Sequence, residues 1–191
     1  LQDETTRFLE EHLEIEISNL RSFLKVADNP RAKAAANDQV INKLGEGGQG
    51  IVYEVKWRGG NYALKWYHKG VGKNADKFYK NLKQNVEKGA PAPTFLWPLA
   101  ITDKDENGCF GYVMKLRPKE YKDFSQFILN RVNFSGFTAV VNAALLMTVS
   151  FKLLHNKGLS YQDLNDGNFF INPADGDVLI CDNDNVAPDG E

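Results

Sequence analysis

The stretch that decides the fold runs from residue 161 to residue 182. It reads Tyr161-Gln162-Asp163-Leu164-Asn165-Asp166-Gly167-Asn168-Phe169-Phe170-Ile171, then Asn172 to Gly176, then Val178-Leu179-Ile180-Cys181-Asp182. An acidic residue is followed five positions later by an amide, and two short apolar segments around a turn lead to a second acidic residue. The two apolar segments predict a hairpin, which would bring Asn168 and Asp182 to one end of a small sheet. Carboxylate and amide oxygens are hard ligands that Mg²⁺ accepts, so the stretch predicts a metal site beside which Asp163 handles a hydroxyl proton.

Composition sets the size of the core and the class of partner. The chain has 191 residues, of which 42% are hydrophobic, enough for one good core or two small lobes. The net charge is -2 and the isoelectric point is about 6.0. This balance does not favour nucleic acid or an anionic membrane as the main partner.

The cysteines and the apolar segments indicate the cellular compartment of the protein. Cys109 and Cys181 each lie in an apolar run and are interpreted as two buried thiols in a reducing compartment. The N-terminus is acidic and amphipathic, which is not typical of a signal peptide. The longest apolar run, at residues 139–146, contains Asn142 and is too short to span a bilayer. We therefore expect a cytoplasmic protein that does not enter a membrane.

The N-terminal segment has helical periodicity. Apolar residues recur at three- and four-residue steps over residues 1–27, and Asp28-Asn29-Pro30 ends the pattern. Such a helix either packs on the domain that follows or docks on a partner protein, and the first interpretation is favoured because amphipathic helices usually face their own core. Residues 31–38 are interpreted as a linker or a short helical turn.

Residues 40–67 change to the period of strands. Val40-Ile41-Asn42-Lys43-Leu44 leads into Gly45-Glu46-Gly47-Gly48-Gln49-Gly50, and a β-branched and aromatic segment follows. Because a strand rather than a helix follows the glycines, the context favours a flap that closes over phosphates with its backbone N–H groups. Any Cβ would hold the backbone away from the phosphate oxygens. The alternative is a glycine-rich turn with no chemical role.

Lys65 lies fifteen residues after Gly50, in Ala63-Leu64-Lys65 on the third predicted strand. A lysine in an apolar strand can reach phosphates as a point charge. The alternative is an ordinary surface lysine whose stem lies on the sheet.

With these residues the sequence resembles the protein kinase family. Gly45, Gly47, Gly50 and Val52 match Gly-x-Gly-x-x-Gly-x-Val, and Ala63-Leu64-Lys65 matches Val-Ala-Ile-Lys. Asp163 and Asn168 match the catalytic-loop aspartate and asparagine, and Asp182 matches the first residue of Asp-Phe-Gly. The matches fall in family order and span about residues 40 to 186.

The resemblance implies an α+β, protein-kinase-like fold. Its N-lobe would be a five-stranded antiparallel sheet plus one helix, its C-lobe would be partial and mostly helical, and an N-terminal helical extension would precede them. The expected domains are residues 1–38, 39–117 and 118–191. The expected strands cover residues 40–44, 51–57, 62–67, 95–101 and 111–116, and the expected helices cover 73–88, 121–130 and 136–157.

The implied function is transfer of the ATP γ-phosphate to Ser/Thr hydroxyls of proteins, with Mg-ATP held between two lobes. Asp163 would orient and deprotonate the acceptor, while Asn168 and Asp182 would hold Mg²⁺. The residues expected to bind ATP are Gly45, Gly47, Gly50, Val52, Ala63, Lys65, Met114 and Leu116, with Met114 beside adenine and residues 115–117 as the hinge.

Several positions depart from the family pattern. Gln162 replaces the arginine before Asp163, which predicts activity that does not depend on phosphorylation of an activation loop. Asn165 replaces a lysine, Asn183 replaces the phenylalanine after Asp182, and Asp184 would either recruit a second cation or be solvated.

The helix at 73–88 lacks an acidic residue where the family glutamate pairs with the strand lysine. Glu87 is the nearest acid and is assigned this role; the alternatives are an amide, Asn85 or Gln84, or no partner for Lys65 at all.

Two other functions stay open: a kinase of small hydroxyl compounds, which the loops at 163–168 and 182–184 favour, and a nucleotide-binding pseudokinase or scaffold.

Overall fold

The computed structural model describes residues 39–67 and 75–190. The predicted N-terminal helix and linker, at residues 1–38, lie outside the described residues, as do the first two residues of the helix predicted from residue 73. The chain divides into two compact units. Among the described residues, the first contains residues 39–67, 75–76 and Ala100–Leu116, and the second contains Lys77–Leu99 and residues 117–190.

The first unit is built on a five-stranded antiparallel sheet, as predicted. Its strands, which stand in the order β1-β2-β3-β5-β4, are β1 Gln39–Glu46, β2 Gly50–Trp57, β3 Gly60–Tyr67, β4 Ala100–Ile101 and β5 Gly111–Lys115. Alternation along the strands gives the sheet two faces. One face carries a core formed mainly by Tyr53, Val55, Leu64 and Val113, so residues one position away from these point to the opposite face.

The prediction of one strand over residues 95–101 is wrong for residues 95–99. Only Ala100–Ile101 pairs with β5. Phe95 instead forms a parallel bridge with Ile180 in the second unit. Pro98 has no backbone N–H to donate to a ladder, which favours ending the strand at this point.

The second unit combines helices with two small sheets. Its helices are α1 Ala75–Lys88, of which all but the first two residues belong to this unit, α2 Phe124–Ile128 and α3 Phe137–Asn156. A three-stranded antiparallel sheet, in the order β6-β8-β9, contains β6 Lys122–Asp123, β8 Phe169–Ile171 and β9 Val178–Ile180. A two-stranded antiparallel sheet joins β7 Leu159–Tyr161 to β10 Val186–Pro188. The predicted α+β architecture is thus confirmed, whereas β6, β7 and β10 are too short to show in the sequence.

Helix α3 supports the turn of the β8–β9 hairpin. The Asn142 side chain donates to the Asp175 carbonyl at 2.9 Å. Gly176 has a φ of +77°, and a Cβ on it would lie 1.9 Å from the Ala139 carbonyl oxygen. Only glycine combines this conformation with so close an approach. The hairpin is therefore fixed against the first turns of α3.

The opposite side of α3 exposes an apolar stripe at four-residue spacing, formed by Phe137, Val141, Leu145, Val149 and Leu153. Taken as a whole, α3 is long and apolar enough to cross a membrane, a criterion that core helices of soluble proteins also meet. Among the described residues it is the single helix that meets it.

Both cysteines are free thiols, as predicted, but only Cys109 has the predicted burial. Cys109 is buried and Cys181 is half-buried.

Candidate functional site

The glycines of the β1–β2 hairpin divide into two groups. Gly45 pairs with Val52 across the hairpin, and the Gly47 N–H donates to the Gly50 carbonyl at 2.9 Å. A Cβ on Gly45, Gly47 or Gly48 would meet no heavy atom within 4 Å, so the backbone here borders open space. A Cβ on Gly50 would lie 2.1 Å from the Trp66 carbonyl oxygen. The close packing of β2 against β3 therefore requires glycine at position 50, whether or not a ligand binds.

Lys65 is buried, with 6% of its surface exposed. It stands opposite Val52 on β2 and Tyr112 on β5, and directly opposed residues of antiparallel strands share a face. Its position places it on the face of the sheet away from the core. Its Nζ lies 5.7 Å from the centre of the Tyr67 ring. This burial excludes the alternative of an ordinary surface lysine.

The predicted adenine-site residues continue the same face. Ala63 pairs with Met114, and both are buried. Leu116 follows the end of β5 and is half-buried. The structure thus places Val52, Ala63, Lys65 and Met114 together on one side of the sheet, and their roles toward a nucleotide stay predictions.

Asp163 and Asn168 are in direct contact. The Asn168 Nδ2 donates to the Asp163 carbonyl at 2.8 Å and to the Asp163 Oδ2 at 3.2 Å. Asn168 is buried at the end of a 3-10 helix, Asp166–Asn168, whereas Asp163 is exposed. The amide holds the Asp163 carboxylate in place and keeps its own Oδ1 as an acceptor.

The hairpin brings Asp182 beside Asn168, as predicted. Phe169 pairs with Ile180, and the Cys181 N–H donates to the Asn168 carbonyl at 2.8 Å. Asp182 follows in the left-handed region, with φ 49° and ψ 44°. We name residues 163–182, with Asp163, Asn168 and Asp182 at one end, the acidic hairpin.

The oxygen ligands in this hairpin suit Mg²⁺. In proteins Mg²⁺ is usually bound by one or two carboxylates together with water and substrate phosphates. The side chains of Asn168 and Asp182 carry oxygens of this kind, and their role toward Mg²⁺ stays a prediction. In the parts of the chain that the structure describes, no cluster of three His, Cys, Asp or Glu side chains could hold a metal.

Tyr161 was missed by sequence reasoning. Its hydroxyl donates to the Cys181 carbonyl at 2.6 Å, one residue before Asp182. Burial, and then the nearby Asp182 carboxylate, raise the pKa of the Tyr161 phenol, so it stays a neutral donor. The available signal was its place in a short apolar strand just before Gln162-Asp163.

Asn183 and Asp184 are both buried. The Asn183 Nδ2 donates to the Leu96 carbonyl at 3.0 Å and to the Ile180 carbonyl at 2.8 Å. Asp184 is only 1% exposed, which excludes the expectation that it is simply solvated.

Two amides of helix α1 meet β10. The side chains of Asn81 and Asn85 donate to the same carbonyl, that of Val186, at 2.8 and 2.9 Å. The Trp97 indole N–H donates to the Asn85 carbonyl at 2.8 Å. Glu87, assigned as the partner of Lys65, is exposed near the end of α1, and that pairing stays a prediction.

Comparison with known proteins finds similarity in structure alone. No protein-family model matches the sequence, and no curated protein matches it. Solved structures of the PknI kinase domain of Mycobacterium tuberculosis are similar to this chain. A double mutant of that domain has 22% identity and a TM-score of 0.59, over 81% of this chain and 61% of that one. A second structure of the domain has 21% identity and a TM-score of 0.58, over 84% and 64%.

The chain spans about three fifths of the length of the kinase domains that it matches. Identity at this level carries the fold and not the activity. The order of elements, the five-stranded sheet and the helices and hairpin of the second unit all agree with the expected architecture. The chain has a protein-kinase-like fold.

Proposed function

We propose that the protein is an ATP-dependent phosphotransferase that transfers the γ-phosphate of ATP to Ser/Thr hydroxyls of proteins. The observation that carries this proposal is the arrangement of the acidic hairpin. An exposed carboxylate, Asp163, is held by the Asn168 amide, and backbone hydrogen bonding places Asp182 next to Asn168. A base for a hydroxyl and ligands for a metal–nucleotide thus occur on one short segment.

Each residue has a role that its environment supports. Asp163 accepts the proton of the acceptor hydroxyl and orients it, because the carboxylate is exposed and its position is fixed by Asn168. Asn168 and Asp182 hold Mg²⁺, which when bound neutralises charge on the phosphates. Lys65 and the N–H groups of the β1–β2 hairpin bind phosphate, while Val52, Ala63, Met114 and Leu116 bind adenine. Positioning and charge neutralisation provide the catalysis, with no covalent enzyme intermediate.

Location and partners follow from the same proposal. Two free thiols and a kinase-like site that needs ATP fit the cytoplasm. The docking role of the N-terminal helix falls on residues outside those described and stays a prediction.

The test is transfer of labelled phosphate from ATP by the full-length protein, with Asp163→Asn beside Asp166→Asn. Asp166 is an exposed carboxylate three residues away in the same loop and provides the matched control. Loss of the general base should lower the transfer rate by about 10²- to 10⁴-fold, with ATP affinity retained, whereas Asp166→Asn should transfer at the wild-type rate. Phosphatase treatment beforehand should leave the rate unchanged, because Gln162 offers no cation to pair with a phosphorylated loop.

Two other outcomes select the alternatives. Transfer to sugars or small alcohols but not to proteins would indicate a small-molecule kinase, which Asn183 in place of phenylalanine favours. Binding of Mg-ATP without transfer would indicate a pseudokinase, which the absence of an acidic residue at the expected position of the helix favours. Equal activity of Asp163→Asn and wild type would contradict the assignment of the base.

A further inference from the structure

Asn183 makes hydrogen bonds that a phenylalanine at the same position could not make. Its side chain is completely buried, and its Nδ2 donates to two backbone carbonyls, Leu96 and Ile180. The same two residues already meet through their backbones, because the Leu96 N–H donates to the Ile180 carbonyl at 2.9 Å. The Asn183 amide therefore links Ile180, at the end of β9, to Leu96, in the segment before β4.

Cys181 and Asp182 lie between β9 and Asn183, and the backbone of Asp182 is in the left-handed region. L-residues other than glycine adopt this conformation at an energetic cost, although aspartate tolerates it better than most. It persists where the surrounding structure holds it. On the N-terminal side, Cys181 is held by the Asn168 carbonyl and the Tyr161 hydroxyl. On the C-terminal side, the buried side chain that immediately follows Asp182 is Asn183.

The segment that follows Asn183 also accepts hydrogen bonds from side-chain amides. A 3-10 helix, Asn183–Asn185, leads into β10. There the Val186 carbonyl accepts hydrogen bonds from the side chains of Asn81 and Asn85. The segment after Asp182 is thus held by polar, directional contacts rather than by an aromatic ring packed into an apolar pocket.

We propose that Asn183 is a positioning residue: its amide fixes the backbone of Asp182 and thereby presents the Asp182 carboxylate to Mg²⁺ without a rearrangement of the segment. The part of this inference that concerns Mg²⁺ rests on the proposed function. The part that concerns the backbone of Asp182 does not. An apolar contact can slide or rotate, whereas the direction of two hydrogen bonds from one amide nitrogen to two carbonyls fixes the orientation of the Asn183 side chain.

The experiment compares Asn183→Ala with Asn185→Ala. Asn185 is the same residue type two positions along, and its side chain makes only a 3.4 Å hydrogen bond to its neighbour Asp184. A third variant, Asn183→Ser, keeps one hydroxyl donor in the event that Asn183→Ala does not fold. The first readout is amide hydrogen exchange of residues 181–186 without nucleotide. The second is the Mg²⁺ concentration that gives half-maximal ATP binding.

Asn183→Ala should raise exchange in residues 181–186 about tenfold, since one or two hydrogen bonds that close the segment are lost. The Mg²⁺ requirement should rise by a similar factor of about ten, while ATP affinity without metal stays unchanged. Asn183→Ser should fall between Asn183→Ala and wild type, and Asn185→Ala should match wild type in both measurements.

Unchanged exchange in Asn183→Ala and Asn183→Ser would overturn the inference. Faster exchange with an unchanged Mg²⁺ requirement would also overturn it, because the segment would then be held without serving Asp182. If the wild-type protein shows no Mg²⁺-dependent ATP binding, the proposed function fails, and hydrogen exchange still decides whether Asn183 holds the segment.

Discussion

The β1–β2 hairpin of the first unit and the acidic hairpin of the second carry the candidate site residues in different ways. In the first, the groups expected to bind phosphate are backbone N–H groups beside glycines, and open space surrounds Gly45, Gly47 and Gly48. In the second, the groups expected to bind a metal and the acceptor are side chains, and neighbouring amides hold the backbone or the carboxylate beside them. Asn168 holds Asp163, and Asn183 follows Asp182 with two hydrogen bonds of its own.

This difference explains why one hairpin follows the family pattern and the other departs from it. A backbone ligand site demands the absence of side chains, and glycine is the only residue that meets this demand. A side-chain site demands a fixed geometry, which several different sets of neighbours can provide. The acidic hairpin keeps Asp163, Asn168 and Asp182 but is supported by amides and a tyrosine.

The largest effect should come from Gly50→Ala. The added Cβ would lie 2.1 Å from the Trp66 carbonyl oxygen, and the backbones of β2 and β3 would have to separate. We expect the free energy of unfolding to fall by about 3 kcal/mol. Urea denaturation of the full-length protein measures this change.

The control for Gly50→Ala is Gly47→Ala, in the same hairpin but with nothing near the added Cβ. Its free energy of unfolding should stay within about 0.5 kcal/mol of wild type, while its affinity for ATP should fall. Equal destabilisation by the two substitutions would show that the hairpin is not divided between a packing glycine and ligand-binding glycines.

An intermediate effect should come from the two amides that share the Val186 carbonyl. Asn85 is fully buried and Asn81 is half-buried. Asn85→Ala should lower the free energy of unfolding by about 1.5 kcal/mol and Asn81→Ala by about 0.5 kcal/mol. The double variant should lose more than the sum, by about 0.5 kcal/mol or more, because the first removal leaves one donor and the second leaves neither.

Thermal or urea unfolding of the four proteins completes this double-mutant cycle. Strict additivity would mean that the two amides act independently and that the Val186 carbonyl is not their shared acceptor. The segment after Asp182 would then be less firmly held than the structure indicates.

The smallest effect concerns pH and the turn of the acidic hairpin. The Tyr121 hydroxyl donates to the Asp177 carboxylate at 2.6 Å. This hydrogen bond, followed by burial, raises the pKa of Tyr121 from 10.0 to about 12. A phenol whose pKa is higher in the folded than in the unfolded state stabilises the fold below the unfolded pKa, and this contribution is lost as pH rises through the folded pKa.

Stability should therefore decline between about pH 10 and pH 12 in part through Tyr121. Tyr121→Phe should show a shallower decline over this interval and a lower stability at neutral pH. Unfolding measured at several alkaline pH values tests this, and parallel curves for Tyr121→Phe and wild type would contradict it.

Most of the fold could be predicted because its elements have regular local patterns. Alternating side chains identified β1, β2, β3 and β5, and the apolar period identified α3 within one residue at each end. The prediction of a strand at residues 95–101 is wrong in its first part because an apolar run does not show where a strand begins. Phe95 pairs instead with Ile180, which lies 85 positions away in the sequence, and no local pattern records such a partner.

The sequence by itself determined the sheet, the order of the elements and the placement of Asn168 and Asp182 at one end of a hairpin. Residue type and spacing are sufficient there, since a hairpin of two apolar strands necessarily brings its ends together. Tertiary structure alone decided what holds those residues in place. Tyr161, Asn183, Asn81 and Asn85 act through hydrogen bonds to backbone carbonyls that are near in space but, except for the Asn183 bond to Ile180, distant in sequence. A hydrogen bond depends on distance and direction, and these exist only once the chain has folded.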